Sequence, residues 1–177
     1  DPFSIFALSA AKEAIDSSNL NFKNINLDRA GVVIATGIGG IRTLENEHDI
    51  INNRGPRRVS PLFVSKMIPN IAGGHLSMKF GFRGPSQTVI SACASSNDAI
   101  GIALRLIRYG DADIMLTGGT EASITPLTIS GFANMKALSQ NCTNPTKASR
   151  PFDADRDGFV LSEGADILML ESEEHAL

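Results

Sequence analysis

The sequence is poor in cysteine, lacks long apolar runs and carries no excess of basic residues. Its two cysteines cannot build a disulfide framework, so we expect two free thiols in a reducing compartment. No apolar run approaches the roughly 18 residues of a membrane helix, and no signal-peptide pattern opens the chain. The net charge of −3, from sixteen lysines and arginines against nineteen aspartates and glutamates, argues against a dedicated nucleic-acid binder. We expect a cytoplasmic protein, or one of an organelle stroma or matrix if the source is eukaryotic.

What the sequence does have is the composition of a globular domain. Of its 177 residues, 42% are hydrophobic and 20% are charged, which excludes a disordered chain. Asp1-Pro2 is a typical helix start with the aspartate as cap, and an alanine-rich face continues this helix to about Ser18. Residues 31–36 are apolar and rich in β-branched side chains, as in a strand buried on both faces.

The later segments alternate between the two patterns. The predicted elements are helices over residues 41–51, 60–80 (broken by Pro69 and two glycines), 95–109 and 126–138, strands over 86–92, 113–117 and 165–171, and polar loops over 52–58 and 139–158. This alternation predicts an α/β fold with a largely parallel, buried sheet, in one domain or part of one.

The two ends of the sequence indicate a piece of a longer protein. The chain starts at Asp1 without a methionine, directly on a helix signal. It stops at Leu177, in what we predict to be the first turn of a further helix. Any activity inferred below therefore concerns a longer polypeptide.

Three motifs that suggest cofactors or metals fail on inspection. Residues 37–40 follow a strand with a glycine-rich turn, but Arg42 stands where the third glycine of a dinucleotide fingerprint belongs. Residues 153–158 copy half of a calcium loop, but Gly164 stands where the bidentate glutamate belongs. The three histidines, His48, His75 and His175, are not at metal-ligand spacing from one another or from a cysteine. We therefore expect no cofactor and no metal.

Cys93 lies between a predicted strand and a predicted helix, in a run of small residues over positions 91–96. A sharp strand-to-helix turn of this kind exposes a nucleophile. The free N–H groups and partial positive charge of a helix N-terminus favour the thiolate and can also stabilise an oxyanion. From the residues alone, a small buried cysteine that fills a tight crossing is an equally good interpretation.

Taken together, the segments resemble the 3-oxoacyl-[acyl-carrier-protein] synthases, in particular the elongating branch of dissociated fatty-acid synthesis. The resemblance covers essentially the whole chain. It is carried in order by residues 55–61, 72–76, 84–86, 91–93, 109–113, 118–122, 137–139 and 148–161. Several long motifs in fixed order are more specific than any one of them.

The resemblance implies a thiolase-like fold of five layers, αβαβα, made of two similar halves. Residues 1–177 would form most of the first half, as an incomplete N-terminal β-ketoacyl synthase domain. The family's opening strand would precede Asp1, and its two catalytic histidines, lysine and gate loop would follow Leu177. Cys93 would accept the acyl group from acyl carrier protein and then undergo decarboxylative condensation with malonyl carrier protein.

The resemblance also assigns binding residues. Ile38, Phe63 and Phe132 match the family's acyl pocket, and the residue at the position of Phe63 comes from the other subunit of a homodimer. Arg57, Arg58 and Lys136 match basic positions at the family's carrier-protein docking surface. Lys136 follows Phe132 by four positions, which places both on one helix face if the helix continues.

Other functions remain open from the sequence. One alternative is a ketosynthase of a polyketide system. Another is a catalytically incompetent partner with the same fold, although such partners lack the cysteine that is present here. A cysteine hydrolase can use the same turn, but it needs a base near the thiol. A thiolase-fold enzyme acting on coenzyme A esters is less favoured, because the long signature over residues 150–161 is that of the carrier-protein branch.

Overall fold

A computed structural model describes residues 1–22 and 24–177. The chain divides into two compact units. The first comprises Asp1–Ala122 and Gly164–Leu177 and contains the sheet, and the second comprises Ser123–Glu163. The helices are α1 (Pro2–Ser18), α2 (Ile41–Arg54), α3 (Phe63–Met67), α4 (Ile71–Phe80), α5 (Ser95–Arg108), α6 (Pro126–Asn134) and α7 (Glu173–Ala176), and the strands are β1 (Ala30–Ala35), β2 (Ser86–Val89), β3 (Ile114–Glu121) and β4 (Gly164–Glu171). No helix within the described residues is long and apolar enough to cross a membrane.

The four strands form one sheet in the order β2-β1-β3-β4. β1 runs parallel to both of its neighbours, with Ala35 opposite Val89 of β2 and opposite Gly119 of β3. β4 runs antiparallel to β3, so the sheet is mixed and not parallel throughout. The predicted α/β alternation is confirmed, and the antiparallel strand is the element that the alternation did not reveal.

The first unit is a three-layer arrangement with a separate apolar cluster on each face of the sheet. Val32 and Ile34 of β1 join Phe3 of α1 and Leu76 of α4 on one face. On the other face, the intervening Val33 of β1 packs with a cluster that includes the small residues of α5. Successive side chains of a strand point to opposite faces, so a strand buried on both sides must be apolar throughout, as the sequence of β1 predicted.

Several predicted element boundaries were wrong. The broken helix predicted over residues 60–80 forms α3 and α4, and Gly73 and Gly74 lie inside α4 without breaking it. α2 continues three residues past Ile51, because the polar residues 52–54 can face solvent while remaining helical. The helix ends at Gly55, which has φ 82°. β2 ends at Val89, where its pairing with β1 ends. β3 continues through two glycines, because residues 118–121 remain paired with β4. A Cβ at Gly118 would lie 2.1 Å from the carbonyl oxygen of Asp166 on β4, so the pairing needs glycine there. α6 stops at Asn134 and not at Leu138.

Asp1 is the N-cap residue of α1 and Pro2 is its first helical residue, as predicted, but the Asp1 side chain makes no cap hydrogen bond to its own helix. Its Oδ2 instead accepts from the backbone N–H of Thr43 at 2.9 Å and from the Thr43 hydroxyl at 2.8 Å. The carboxylate therefore ties the start of α1 to the first turn of α2.

The second unit contains α6 and a set of ordered loops. Phe132 of α6 packs edge-on against Phe159, with ring centroids 5.1 Å apart. The Arg150 guanidinium donates to Asp157 at 3.3 Å. The hydroxyl of Ser139 and the backbone N–H of Gln140 also donate to Asp157, and together these groups hold the pKa of that carboxyl below its usual value. Hydrogen bonds to a carboxylate thus order a segment with little regular structure.

Candidate functional site

The carboxyl ends of β1 and β2 and the adjoining end of β3 lie at the same edge of the sheet. The residue pairs Ala35–Val89 and Ala35–Gly119 fix this alignment. The chain leaves β2 towards Cys93 and leaves β1 through the turn over residues 37–40. Ligands of open α/β sheets bind at this edge, so the sheet brings the predicted nucleophile and one predicted pocket segment together.

Cys93 is exposed, which rules out the buried packing role left open by the sequence. The residue before it, Ala92, has a left-handed backbone conformation with φ 52°. This conformation is uncommon for a residue with a Cβ, and such outliers cluster at active sites. The result is a sharp turn between β2 and α5 that holds the thiol in the open, as the strand-to-helix pattern predicted.

Ser95 fixes the turn from within. It is 4% exposed, its hydroxyl accepts from the backbone N–H of Ser91 at 2.8 Å, and it donates to the carbonyl of Ala92 at 2.6 Å. The hydroxyl of Ser91 in turn donates to the Asp98 carboxylate. These bonds hold the residues on both sides of Cys93 without involving its side chain.

The backbone N–H of Cys93 finds no acceptor among the described residues. It lies two positions before α5, a helix of 14 residues, at the end where the helix carries partial positive charge. An unpaired N–H in this place is a suitable donor to a developing oxyanion beside the thiol.

α5 lies against the sheet at Gly119. A Cβ at Gly119 would lie 1.9 Å from the Oγ of Ser96 and 3.1 Å from its Cβ, so a side chain at position 119 would force the Ser96 hydroxyl to move. Farther along α5, Ala99 and Ala103 are fully buried against the same face of the sheet. Small residues at the contact set the height of the first turn of α5 above the sheet.

The turn after β1 carries the first predicted pocket residue. Ile38 is 41% exposed, although it is apolar. The neighbouring Gly40 donates to the carbonyl of Met67 at 3.0 Å, which joins the turn to the end of α3. Phe63, the second predicted pocket residue, is half-buried in the first turn of α3. The two residues thus belong to segments in direct contact.

Glu121 contacts the turn that bears Ile38, although the sequence analysis assigned it no role. It ends β3, and its carboxylate accepts from the backbone N–H groups of Gly37 and Ile38 at 2.7 and 3.1 Å and from the Thr36 hydroxyl at 3.2 Å. A carboxylate at the end of one strand, next to a glycine-rich turn after a neighbouring strand, is the signal that indicates such a contact. The strand order was needed to recognise it.

The third predicted pocket residue, Phe132, is half-buried in the second unit. Lys136 is exposed but does not extend the helix face of Phe132, so that expectation was wrong. Lys136 has φ 56°, its N–H donates to the Ala133 carbonyl, and the N–H of Ala137 donates to the Phe132 carbonyl at 3.0 Å. These bonds form a Schellman-type helix end, a position that usually favours glycine.

Arg57 and Arg58 lie in a 3-10 turn between α2 and α3, and both side chains are exposed. Glu47 of α2 accepts from the backbone N–H of Ser60 at 2.8 Å and so fixes the end of this loop. The two arginines belong to the first compact unit and Lys136 to the second. All three side chains are exposed.

No cluster of three metal-ligating side chains occurs in the described ranges. His48 lies on α2 and His75 on α4, and His175 in α7 contacts the Glu171 carboxylate. In the acidic loop, Asp153 accepts from the backbone N–H of Asp155 at 2.8 Å and lies 3.6 Å from Arg150, while Asp157 is engaged as described above. Local hydrogen bonds and ion pairs thus engage both Asp153 and Asp157.

Solved ketosynthases share this fold. A chain from the structure of a type II PKS acyl-carrier protein in complex with its ketosynthase, bound to the hexaketide, superposes with a TM-score of 0.92 at 37% identity. The alignment covers 99% of this chain and 44% of that chain. A β-ketoacyl synthase from Burkholderia phymatum gives a TM-score of 0.88 at 30% identity, over 99% and 43% of the two chains. The fold is thiolase-like, and the class is that of the ketosynthases.

Sequence comparison gives the family. The model for the β-ketoacyl synthase N-terminal domain matches residues 1–176. The chain is 47% identical over 177 residues to 3-oxoacyl-[acyl-carrier-protein] synthase 2 of Synechocystis, and 47% identical over 176 residues to that of Staphylococcus aureus. The chain therefore belongs to the β-ketoacyl synthase family of acyltransferases. It spans 42% of the length of these curated relatives, although the matches cover 99–100% of the chain itself.

Proposed function

We propose that this chain forms the acyl-accepting part of a condensing enzyme of fatty-acid elongation. The observation that carries the proposal is an exposed Cys93 on a left-handed turn before a 14-residue helix, with a free backbone N–H beside it. This is the arrangement of an activated nucleophile with an oxyanion donor. The names of the relatives support the substrate class, an acyl group carried by acyl carrier protein.

Two steps follow from this assignment. The Cys93 sulfur attacks the carbonyl carbon of the acyl thioester, a new carbon–sulfur bond forms, and the carrier thiol leaves with the proton that Cys93 releases. Malonyl carrier protein then loses CO2, and its carbanion attacks the acyl-Cys93 carbonyl carbon. The products are 3-oxoacyl carrier protein, two carbons longer, and free Cys93. The second step depends on the histidines, lysine and gate loop that the resemblance assigns to positions after Leu177.

Arg57, Arg58 and Lys136 are proposed to bind acyl carrier protein. All three are exposed, and the structural neighbour is a ketosynthase complex with its own carrier protein. An acidic carrier needs a local basic surface on a chain whose net charge is −3. Ile38, Phe63 and Phe132 are proposed to line the acyl pocket, since each is apolar and partly exposed to solvent.

The active form is proposed to be a homodimer that pairs through β2. β2 is an edge strand, and Ile90, which follows it, is 55% exposed. An unpaired strand edge beside an exposed apolar side chain favours pairing with a second copy. In the full-length protein, Ile90→Glu should raise the dimer dissociation constant, measured by sedimentation. Tyr109→Glu, at a residue that is 77% exposed on the end of α5, serves as the control.

The central test is acylation of the full-length protein by an acyl carrier-protein thioester, followed by peptide mapping. The expected result is one acyl group on Cys93, chased into 3-oxoacyl product by malonyl carrier protein. Acylation elsewhere, or hydrolysis to the free acid without product, contradicts the proposal and favours a hydrolase. The isolated 177-residue chain should give no 3-oxoacyl product, because it lacks matches to the family's base, lysine and gate loop.

A polyketide ketosynthase is the second candidate. The observation in its favour is the TM-score of 0.92 and 37% identity to the type II PKS complex. Product length discriminates the two, since a fatty-acid enzyme releases its chain after one condensation. Repeated condensation of unreduced units by the purified protein would establish the polyketide function.

A further inference from the structure

We propose that Glu121 is a positioning residue that holds the turn bearing Ile38 and thereby sets which acyl lengths the pocket accepts. The inference rests on the proposed function, because it takes Ile38 as a wall of the acyl pocket. Glu121 lies on β3, outside that wall, and its hydrogen bonds to the turn control where the wall lies.

The contacts of Glu121 all converge on one turn. Both Gly37 and Ile38 donate their backbone N–H groups to the same oxygen, Oε2, at 2.7 and 3.1 Å. The second oxygen, Oε1, accepts from the hydroxyl of Thr36 at 3.2 Å. Hydrogen bonds to an ionised acceptor are stronger than those between neutral groups. The peptide groups on both sides of Gly37 are therefore fixed by one side chain.

Thr36 extends this hold to the next residue. It is 3% exposed, and its hydroxyl accepts from the backbone N–H of Gly39 at 3.0 Å while it donates to Glu121. Its own backbone N–H donates to the carbonyl of Val89 on β2, at 3.4 Å. The turn is thus attached to the carboxyl ends of both β2 and β3, beside the segment that leads to Cys93.

Gly37 is matched to the carboxylate. A Cβ at Gly37 would lie 2.7 Å from the Oε2 of Glu121, so any side chain there would displace the acceptor of both N–H groups. The Ile38 side chain, by contrast, is 41% exposed and has few packing contacts to hold it. Its position therefore depends mainly on the backbone that Glu121 holds. Loss of the Glu121 bonds is therefore expected to free Ile38 to move.

The test compares Glu121→Ala with Glu121→Gln in the full-length protein. Glutamine keeps a carbonyl oxygen that can accept both N–H groups, and its amide can donate to the Thr36 hydroxyl, which has a second lone pair. Alanine keeps neither. Glu171→Ala is the matched control, because Glu171 lies on β4 at the opposite end of the same strand pair, opposite Ile114.

Two measurements separate positioning from general stability. The first is the ratio of Cys93 acylation rates with dodecanoyl and hexanoyl carrier-protein thioesters. Glu121→Ala should change this ratio by about tenfold, because the pocket wall contacts the long acyl chain more than the short one. In Glu121→Gln and Glu171→Ala the ratio should stay within about threefold of the wild-type value. The second is amide hydrogen exchange at Gly37 and Ile38, which should accelerate about tenfold or more in Glu121→Ala alone.

The double variant Gly37→Ala/Glu121→Ala adds a check of geometry. Gly37→Ala alone should disturb the ratio, and its effect should largely vanish once the carboxylate is gone, because the close approach vanishes with it. Equal loss of both acylation rates in Glu121→Ala, with an unchanged ratio, overturns the inference and leaves a stabilising role. Absence of acylation at Cys93 in the wild type overturns the proposed function, and the exchange measurement still decides whether Glu121 holds the turn.

Discussion

The first compact unit buries an apolar cluster on each face of its sheet, whereas the second unit exposes most of its large apolar side chains. Leu116 and Met115 of β3 are fully buried. In the second unit the exposed large apolar residues are Ile124, Leu127, Ile129, Met135, Phe152, Phe159 and Val160. Order in the second unit depends more on hydrogen bonds and ion pairs around Arg150 and Asp157. The two units should therefore respond differently to the same kind of substitution.

The largest difference is expected between the two cysteines. Cys93 belongs to the first unit and Cys142 to the second, and both thiols are exposed. If position on the turn confers reactivity, Cys93→Ala should lower acyl transfer by more than about 10³-fold, while Cys142→Ala changes it by less than about twofold. The measurement is the rate of 3-oxoacyl product formation by the full-length variants.

Labelling provides an independent check on the same pair. An iodoacetyl or chloroacetyl reagent in limiting amount should modify Cys93 before Cys142, as followed by peptide mass analysis. Faster modification of Cys142 would show that exposure alone, and not the helix N-terminus, governs reactivity here.

The next difference concerns stability. Leu116→Ala removes a fully buried side chain from the core of the first unit and should cost about 2–5 kcal/mol in the free energy of unfolding. Phe159→Ala in the second unit loses a ring that is 41% exposed and one edge-on contact with Phe132, so we expect about 1 kcal/mol. Urea denaturation of the full-length variants measures both. Equal costs would show that the second unit is as well packed in the full-length protein as the first.

A smaller effect is expected from Arg57 and Lys136, two of the basic residues that we propose bind acyl carrier protein. Arg57→Glu together with Lys136→Glu should raise KM for acyl carrier protein by about tenfold and weaken its salt dependence, since charge pairs act mainly on encounter. A small acyl thioester without a carrier should acylate Cys93 at the normal rate. Lys136→Asn is a useful companion, because asparagine tolerates the left-handed backbone at φ 56° and only the charge is lost. Equal loss with both substrates would make these residues structural.

The smallest effect concerns acid stability. In the first unit, two hydrogen bonds of 2.7 Å from the Arg29 guanidinium hold the pKa of Asp113 below its usual value. A lowered pKa means that the pair stabilises the fold above the ordinary carboxyl pKa, and that this contribution is lost as pH falls through the lowered value. Asp113→Asn should therefore lower Tm near neutral pH, and the difference from the wild type should shrink towards about pH 3. If the Tm difference between Asp113→Asn and the wild type persists unchanged in acid, its cause is packing and not the charge of Asp113.

The same comparison explains what the sequence could predict. β1 and the first half of β3 were predictable because burial on both faces requires an unbroken apolar run. The thiol turn was predictable because small residues flank Cys93 between a strand and a helix. The end of α6 was missed because Lys136 adopts a left-handed conformation that its residue type does not signal. Glu121 was missed because its role depends on which strands are neighbours. Contacts between distant segments are set by topology, which residue patterns describe only indirectly.

The contact between Gly119 and Ser96 constrains how this protein can change during evolution. A side chain at position 119 would lie 1.9 Å from the Ser96 hydroxyl, and Ser96 is in the first turn of the helix that follows the nucleophile. An alanine at position 119 would force the Ser96 hydroxyl to rotate away and would still leave the Ser96 Cβ 3.1 Å from the new methyl group. Replacement at 119 should therefore be better tolerated when position 96 is glycine, and the two sites should tend to change together. A library of random variants selected for activity should recover substitutions at 119 more often in chains that carry glycine at 96.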